Sequence, residues 1–210
     1  MELKGLTIAC LGDSMTEGLG ASSSEKVWHQ LLSERCGMKA CLNYGVSSTS
    51  IGVGKELADK NFIKRVDTMA DDVDAVIVFG GINDYGEVPL GSFSDRIDTT
   101  FYGACHILMK KLLEKYPQKP ILFMTPFHIS PKWVKEQFKS LTRDVVKDYA
   151  DAIKETACYY SIPVLDLYST SGMNPAVKEQ EKLYFYDGLH PNDAGYEKLS
   201  YKVEAFLKNM

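Results

Sequence analysis

Two short segments at opposite ends of the chain carry the residue types of nucleophilic acyl transfer. Gly12-Asp13-Ser14 follows the first apolar run and supplies a hydroxyl, while Asp187-Gly188-Leu189-His190-Pro191, near the C-terminus, supplies an imidazole and a carboxylate. A serine hydroxyl is a weak nucleophile at neutral pH and needs a neighbouring base. Imidazole suits that role because its pKa lies near the working pH. A carboxylate on the other ring nitrogen then holds the imidazole in the right tautomer, and Asp187, three residues before His190 on the same turn, can do so. Pro191 restricts His190 to extended backbone angles, and Asn192 or Asp193 can cap the helix that follows.

Acyl transfer also needs hydrogen-bond donors aimed at the oxyanion of the tetrahedral intermediate. Three candidates stand after successive apolar runs. They are the backbone N–H of Ser14, the backbone N–H of Gly45 in Asn43-Tyr44-Gly45, and the side-chain amide of Asn83 in Gly80-Gly81-Ile82-Asn83-Asp84. A glycine at 45 would let an acyl oxygen approach the main chain closely.

These residues need a scaffold that brings them together. Five short apolar runs have strand length: Thr7 to Leu11, Ala40 to Leu42, Ala75 to Phe79, Ile121 to Met124 and Val164 to Leu167. Three are nearly continuous rather than alternating, as in parallel strands covered on both faces. Helical periodicity separates them. It runs from Asp95 to Glu114 through Ile97, Phe101, Ala104, Cys105, Leu108 and Leu112, then through Leu141, Val145, Tyr149 and Ile153, and finally through Leu199, Val203 and Phe206. A helix over Val27 to Arg35 is predicted after the capping serines Ser22-Ser23-Ser24 and before Gly37, and a weaker helical pattern covers Gly54 to Met69.

Strands alternating with helices predict an α/β fold. The expected form is a flavodoxin-like three-layer α/β/α sandwich with a five-stranded parallel sheet of order 2-1-3-4-5. Ligands in such sheets bind beyond the carboxyl ends of the strands. Ser14, Gly45, Asn83 and His128 then follow strands one to four at a single edge, with Asp187 and His190 in the segment after strand five.

Composition narrows the partners. A chain of 210 residues with no composition shift predicts one domain over 1–210. A formal net charge of -4 and no Lys/Arg run argue against nucleic acid. Five scattered cysteines without C-x-x-C spacing predict neither a disulfide framework nor a zinc site, and no metal or other cofactor is expected. The absence of a signal-like start predicts a cytoplasmic protein, and the absence of a long apolar run predicts no stable membrane insertion. Homo-oligomerisation is left open.

Gly12-Asp13-Ser14, Gly45, Gly81-x-Asn83-Asp84 and Asp187-x-x-His190-Pro191 together resemble, in order, the four sequence blocks of the SGNH hydrolase (GDSL-like esterase/lipase) superfamily. The resemblance implies Ser14 as nucleophile, His190 as base and Asp187 as its partner, with Ser14, Gly45 and Asn83 as the oxyanion hole. It also implies esterase, lipase, thioesterase or carbohydrate deacetylase activity without a metal. Met15 stands where the family name has leucine, and Ser47-Ser48 follow Gly45 where a further glycine is common. Both departures bear on pocket shape. The Ser14 turn is not a G-x-S-x-G elbow, which separates the chain from the α/β-hydrolases.

The blander readings are an N-cap or turn serine at Ser14, a helix-entry ion pair at Asp187 and His190, and turn residues at Asn83 and Asp84. Asp13 ties down the Ser14 loop or caps the next helix, and Asp84 orients backbone donors. His29 and His106 read as packing or surface residues. His128, Trp133 and Tyr186 are candidate substrate-lining residues, beside Tyr184 and Phe185. The resulting expectation is a carboxylic ester hydrolase forming an acyl-enzyme on short-chain acyl or acetyl esters, carbohydrate esters included, since no apolar lid or amphipathic membrane helix is visible. The alternatives are a lysophospholipase or thioesterase acting on longer chains, acyl transfer to an acceptor other than water, and a non-catalytic flavodoxin-like binding module.

Overall fold

The computed structural model describes residues 1–54, 58–132, 134 and 146–210. Five strands form one parallel sheet: β1 (Thr7–Gly12), β2 (Ala40–Gly45), β3 (Ala75–Phe79), β4 (Ile121–Met124) and β5 (Val164–Leu165), in the order β2-β1-β3-β4-β5. The predicted strand order and α/β class are therefore observed. All of β3 and β4 is buried, as is β1 beyond Thr7, which is why these segments read as unbroken apolar runs.

Helices flank the sheet: α1 (Ser14–Glu17), α2 (Trp28–Cys36), α3 (Phe62–Arg65), α4 (Phe101–Lys115), α5 (Val146–Tyr159), α6 (Leu167–Thr170), α7 (Lys178–Tyr184) and α8 (Asp193–Lys208). The helix α2 packs on α8, and α4 on α5. A ladder of buried aromatics runs below the carboxyl edge. Trp28 meets Phe79 at 6.4 Å, Phe79 meets Phe127 at 5.9 Å and Phe127 meets Phe185 at 5.8 Å between ring centroids. Each such pair contributes about 1 kcal/mol beyond its buried area, so the segment leading into Asp187 is anchored on the core.

Several expected boundaries shift for local reasons. The fifth strand ends at Leu165 because Asp166 caps α6, its side chain accepting from Ser169 N at 3.2 Å. The helix expected from Asp95 begins at Phe101. Ile97 is 56 % exposed, and its carbonyl lies against Gly103, where a Cβ would come within 2.1 Å. The serines at 22–24 do not cap α2. Ser24–Lys26 forms a 3-10 turn, and Val27 stands at the N-cap without a side-chain bond. Only one turn of α-helix, α3, forms within Gly54 to Met69, flanked by 3-10 turns, with 55–57 outside the described residues. Tyr149 and Ile153 lie buried in α5, whereas Leu141 and Val145 lie outside the described residues.

Gly12 and Gly45 are register partners at the ends of β1 and β2, and α1 rests directly on them. A Cβ at Gly45 would stand 2.1 Å from the backbone nitrogen of Glu17 and 2.5 Å from the carbonyl carbon of Thr16. Backbone cannot give way there, so Gly45→Ala is expected to lower stability by about 3 kcal/mol or more, read as a fall in the urea midpoint. An unchanged midpoint would show that α1 does not sit on β2.

Candidate active site

The nucleophile candidate opens α1. Asp13 is its N-cap, accepting from Met15 N at 3.0 Å, and Gly18 closes the helix in the left-handed conformation. A buried histidine holds the helix from below. His29 Nε2 lies 3.0 Å from Thr16 O, so Nε2 carries the proton, and burial pushes the ring pKa down to about 4. His29 is thus a neutral packing residue, and His106 likewise bonds a carbonyl, that of Phe93, at 2.9 Å.

Asp187 and His190 stand on a tight turn. Tyr186 N donates to His190 O at 2.8 Å, Phe185 and Pro191 form a bridge, and Asn192 caps α8 through Gly195 N. Gly188 takes φ +88°, and a Cβ there would lie 2.6 Å from the Cβ of Ser130, so both its conformation and its surroundings require glycine.

The turn delivers His190 to Ser14. Ser14 Oγ lies 2.9 Å from His190 Nε2, and His190 Nδ1 lies 2.7 Å from Asp187 Oδ2. Asp187 Oδ1 accepts from Leu189 N at 2.9 Å and His190 N at 2.8 Å. Burial alone would raise the Asp187 pKa, but these bonds from the His190 ring and the two amides outweigh it and hold the carboxyl down at about 2. An ionised Asp187 only accepts, so Nδ1 donates, and the lone pair of Nε2 faces the serine hydroxyl. Ser14 is 5 % and His190 8 % exposed, so the pair is shielded from solvent.

The oxyanion candidates divide. Ser14 N, at the first position of α1, has no hydrogen-bond partner among the described residues. Asn83 Nδ2 donates one proton to Thr49 O at 3.0 Å, which orients the amide and leaves its second N–H to point elsewhere. The N–H of Gly45, by contrast, is taken by Asn43 Oδ1 at 2.8 Å. Its glycine serves the close approach of α1 described above. On the same loop Ser48 adopts φ 60°, unusual for a residue with a side chain, and its N–H has no partner among the described residues. Ser48 was visible in the sequence only as a serine where a further glycine is common in the family's second block.

Two buried carboxyls support the edge. Asp84 accepts from Ile51 N at 2.9 Å and Gly52 N at 2.8 Å, which orients backbone as expected, yet burial raises its pKa to about 7. Asp13, fully buried with Oδ2 unbonded, is raised by burial to about 6. A folded pKa above the ordinary value favours the protonated form. Stability therefore falls as pH rises from the unfolded pKa near 4 through the folded value, and the deficit is complete above it. Asn keeps the cap without ionising. The unfolding free energy of Asp13→Asn relative to wild type is expected to gain about 1 to 3 kcal/mol between pH 4 and pH 8, measured by urea titration. A pH-independent difference would refute the assignment.

The remaining candidates lie around this core. Tyr186, 71 % exposed, borders both a cleft of about 650 Å³ that also touches Leu19 and Ala21 and one of about 500 Å³ lined by Lys178, Lys182 and Asp187. His128 lies against the Tyr168 ring, with centroids 4.0 Å apart and the planes tilted by 37°. Trp133 lies outside the described residues. Among the described residues no group of three or more His, Cys, Asp or Glu could hold a metal ion, and no helix is long and apolar enough to cross a membrane.

A parallel sheet of this order, with Ser14 after its first strand and an Asp187-His190 turn before its last helix, defines an α/β hydrolytic architecture of the SGNH kind. The chain belongs to the GDSL-like lipase/acylhydrolase family, whose model matches residues 10–198. A solved Lactobacillus plantarum protein is 33% identical over 98% of each chain, with a TM-score of 0.87. More distant likenesses in fold are an M. smegmatis aryl esterase (18% identity, TM-score 0.73, 98% of this chain and 99% of that one). Another is Est24, a carbohydrate acetylesterase from Sinorhizobium meliloti (16% identity, TM-score 0.73, 97% of this chain and 99% of that one). No curated protein sequence matches the chain.

Proposed function

We propose that the chain, as one catalytic unit over 1–210, is a serine esterase acting through a covalent acyl-enzyme. The observation that carries the reading is the unbroken chain of hydrogen bonds from Ser14 Oγ through His190 to Asp187. Ser14 Oγ attacks the ester carbonyl while His190 Nε2 takes the hydroxyl proton, and the ionised Asp187 stabilises the imidazolium so formed. The tetrahedral intermediate collapses, the C–O bond to the alcohol breaks, and His190 returns the proton to the departing oxygen. Water then attacks the acyl-enzyme by the same route, with His190 again the base, releasing the acid and regenerating Ser14. The oxyanion is held by Ser14 N–H and the free N–H of Asn83. Ser48 N–H is the third donor, since the amide of Gly45 is bound to Asn43.

The substrates are short-chain acyl or acetyl esters, those of carbohydrates among them. The acetylesterase and aryl esterase that share the fold support this, and the exposed Tyr186 ring beside the triad offers a surface for a flat or sugar leaving group. Hydrolysis of p-nitrophenyl esters from acetate to laurate by wild type and by Ser14→Ala tests the reading. Ser14-dependent turnover with an optimum at about two to four acyl carbons is expected. An optimum above about eight carbons would instead select the lysophospholipase or thioesterase reading. Absence of Ser14-dependent turnover would leave a binding module.

A further inference from the structure

Arg65 ends the single turn of α3 and is tied into the catalytic edge. Its Nη2 donates to Gly12 O at 3.0 Å and to Thr49 Oγ1 at 2.8 Å, its Nη1 to Tyr44 O, and its Nε to Lys60 O at 2.8 Å. One guanidinium therefore joins the last residue of β1, the chain end of β2 and the loop beyond β2. Among the described residues it makes no ion pair. Asp13 and Glu17 act on it only at a distance, and burial lowers its pKa to about 10, so it is cationic at neutral pH. Arg65 is a half-buried cation satisfied by carbonyls and a hydroxyl rather than by a carboxylate, so its hydrogen bonds join backbone segments instead of neutralising a charge.

The geometry it fixes is that of the oxyanion donors. Thr49, held by Arg65, donates through Oγ1 to Val46 O at 2.7 Å, and its carbonyl accepts the Asn83 amide at 3.0 Å. Val46 N donates to Gly12 O at 3.1 Å, the same carbonyl that Arg65 binds. Glu17 closes the loop from the nucleophile's own helix, accepting from Ser47 N at 2.7 Å. The loop so clamped is the one in which Ser48 is left-handed, a conformation that persists only where the surroundings over-determine it.

We infer that Arg65 is a positioning residue for the oxyanion site, setting the spacing between the Ser14 turn, the 46–49 loop and the Asn83 amide without touching substrate. The inference rests on the esterase reading. Lysine keeps the charge but not the planar fork, so it cannot span these acceptors together.

The test compares Arg65→Met, Arg65→Lys and Thr49→Val with wild type, on p-nitrophenyl acetate, with active sites counted by fluorophosphonate titration so that unfolded protein does not enter kcat. Arg65→Met is expected to lower kcat about 100-fold and Arg65→Lys and Thr49→Val about 10-fold, with KM within about 3-fold of wild type. In an Asn83→Ala background, Arg65→Met is expected to cost about 10-fold rather than about 100-fold, because one of the donors it positions is already gone while the Ser14 turn and the 46–49 loop remain. An unchanged kcat in Arg65→Lys and Thr49→Val, or losses that multiply with Asn83→Ala, would overturn the inference while leaving the esterase reading standing. Absence of Ser14-dependent turnover in wild type would overturn both.

Discussion

Ser14→Ala and His190→Ala are each expected to lower kcat by about 10⁴- to 10⁶-fold, and the double variant by no more than either alone. The reason lies in the 2.9 Å contact between Ser14 Oγ and His190 Nε2. Without the imidazole the hydroxyl keeps its proton and is a poor nucleophile. Without the hydroxyl the imidazole has nothing to deprotonate on the acyl path. Each residue therefore removes the same step, and the losses do not add. The double-variant kcat, measured on p-nitrophenyl acetate, checks this. A loss equal to the product of the two singles would mean that the residues act independently and that no base–nucleophile pair exists.

Asp187→Asn is expected to lower kcat by about 10³- to 10⁴-fold while leaving the turn folded. An amide oxygen can still accept from Leu189 N and His190 N, the two bonds that shape the turn. An amide nitrogen facing His190 Nδ1 donates instead of accepting, which drives the ring to the tautomer protonated on Nε2. That nitrogen then donates toward Ser14 Oγ and cannot take its proton. The negative charge that would steady the imidazolium is also lost.

Acid stability supplies a second readout of the same substitution. The Asp187 carboxyl, held down at about 2 in the folded protein, contributes stability that is fully present above the ordinary carboxylate pKa and is lost as pH falls through the folded value. Asp187→Asn should therefore flatten the acid limb of the unfolding curve between about pH 4 and pH 2. A variant with wild-type kcat would show that the Asp187–His190 bond is only a helix-entry contact, and an acid limb identical to wild type would show that the Asp187 carboxyl is not held down in the folded protein.

Much of this arrangement could be read from residue order. Ala75–Phe79 and Ile121–Met124 are unbroken apolar runs because the strands are covered on both faces, and the strand order then places Ser14 and Asn83 at one edge. What escaped the sequence depends on contacts that residue type does not reveal. Asp166 sits inside the apolar run from Val164 to Leu167, and whether it continues a strand or caps a helix is decided by the amide of Ser169. Ile97 fits a helical stripe, but the chain turns back over Gly103 before the helix can start. Gly45 is required by the approach of the α1 backbone, a contact that residue type does not reveal, and Asn43 occupies its amide. Serine gives no sign of a left-handed backbone, so Ser48 was noticed only as a departure from a family pattern. Arg65 binds chiefly main-chain carbonyls, which carry no signature in sequence at all.

The central claim is that Ser14 is the nucleophile activated by His190, and covalent capture tests it most directly. Incubation with a fluorophosphonate, followed by intact-mass and peptide-mapping spectrometry, should show one phosphonyl group per chain on Ser14 in wild type. Labelling should be at least about 10³-fold slower in His190→Ala. A chain that stays unlabelled while folded, or that carries the adduct on another residue, would contradict the account.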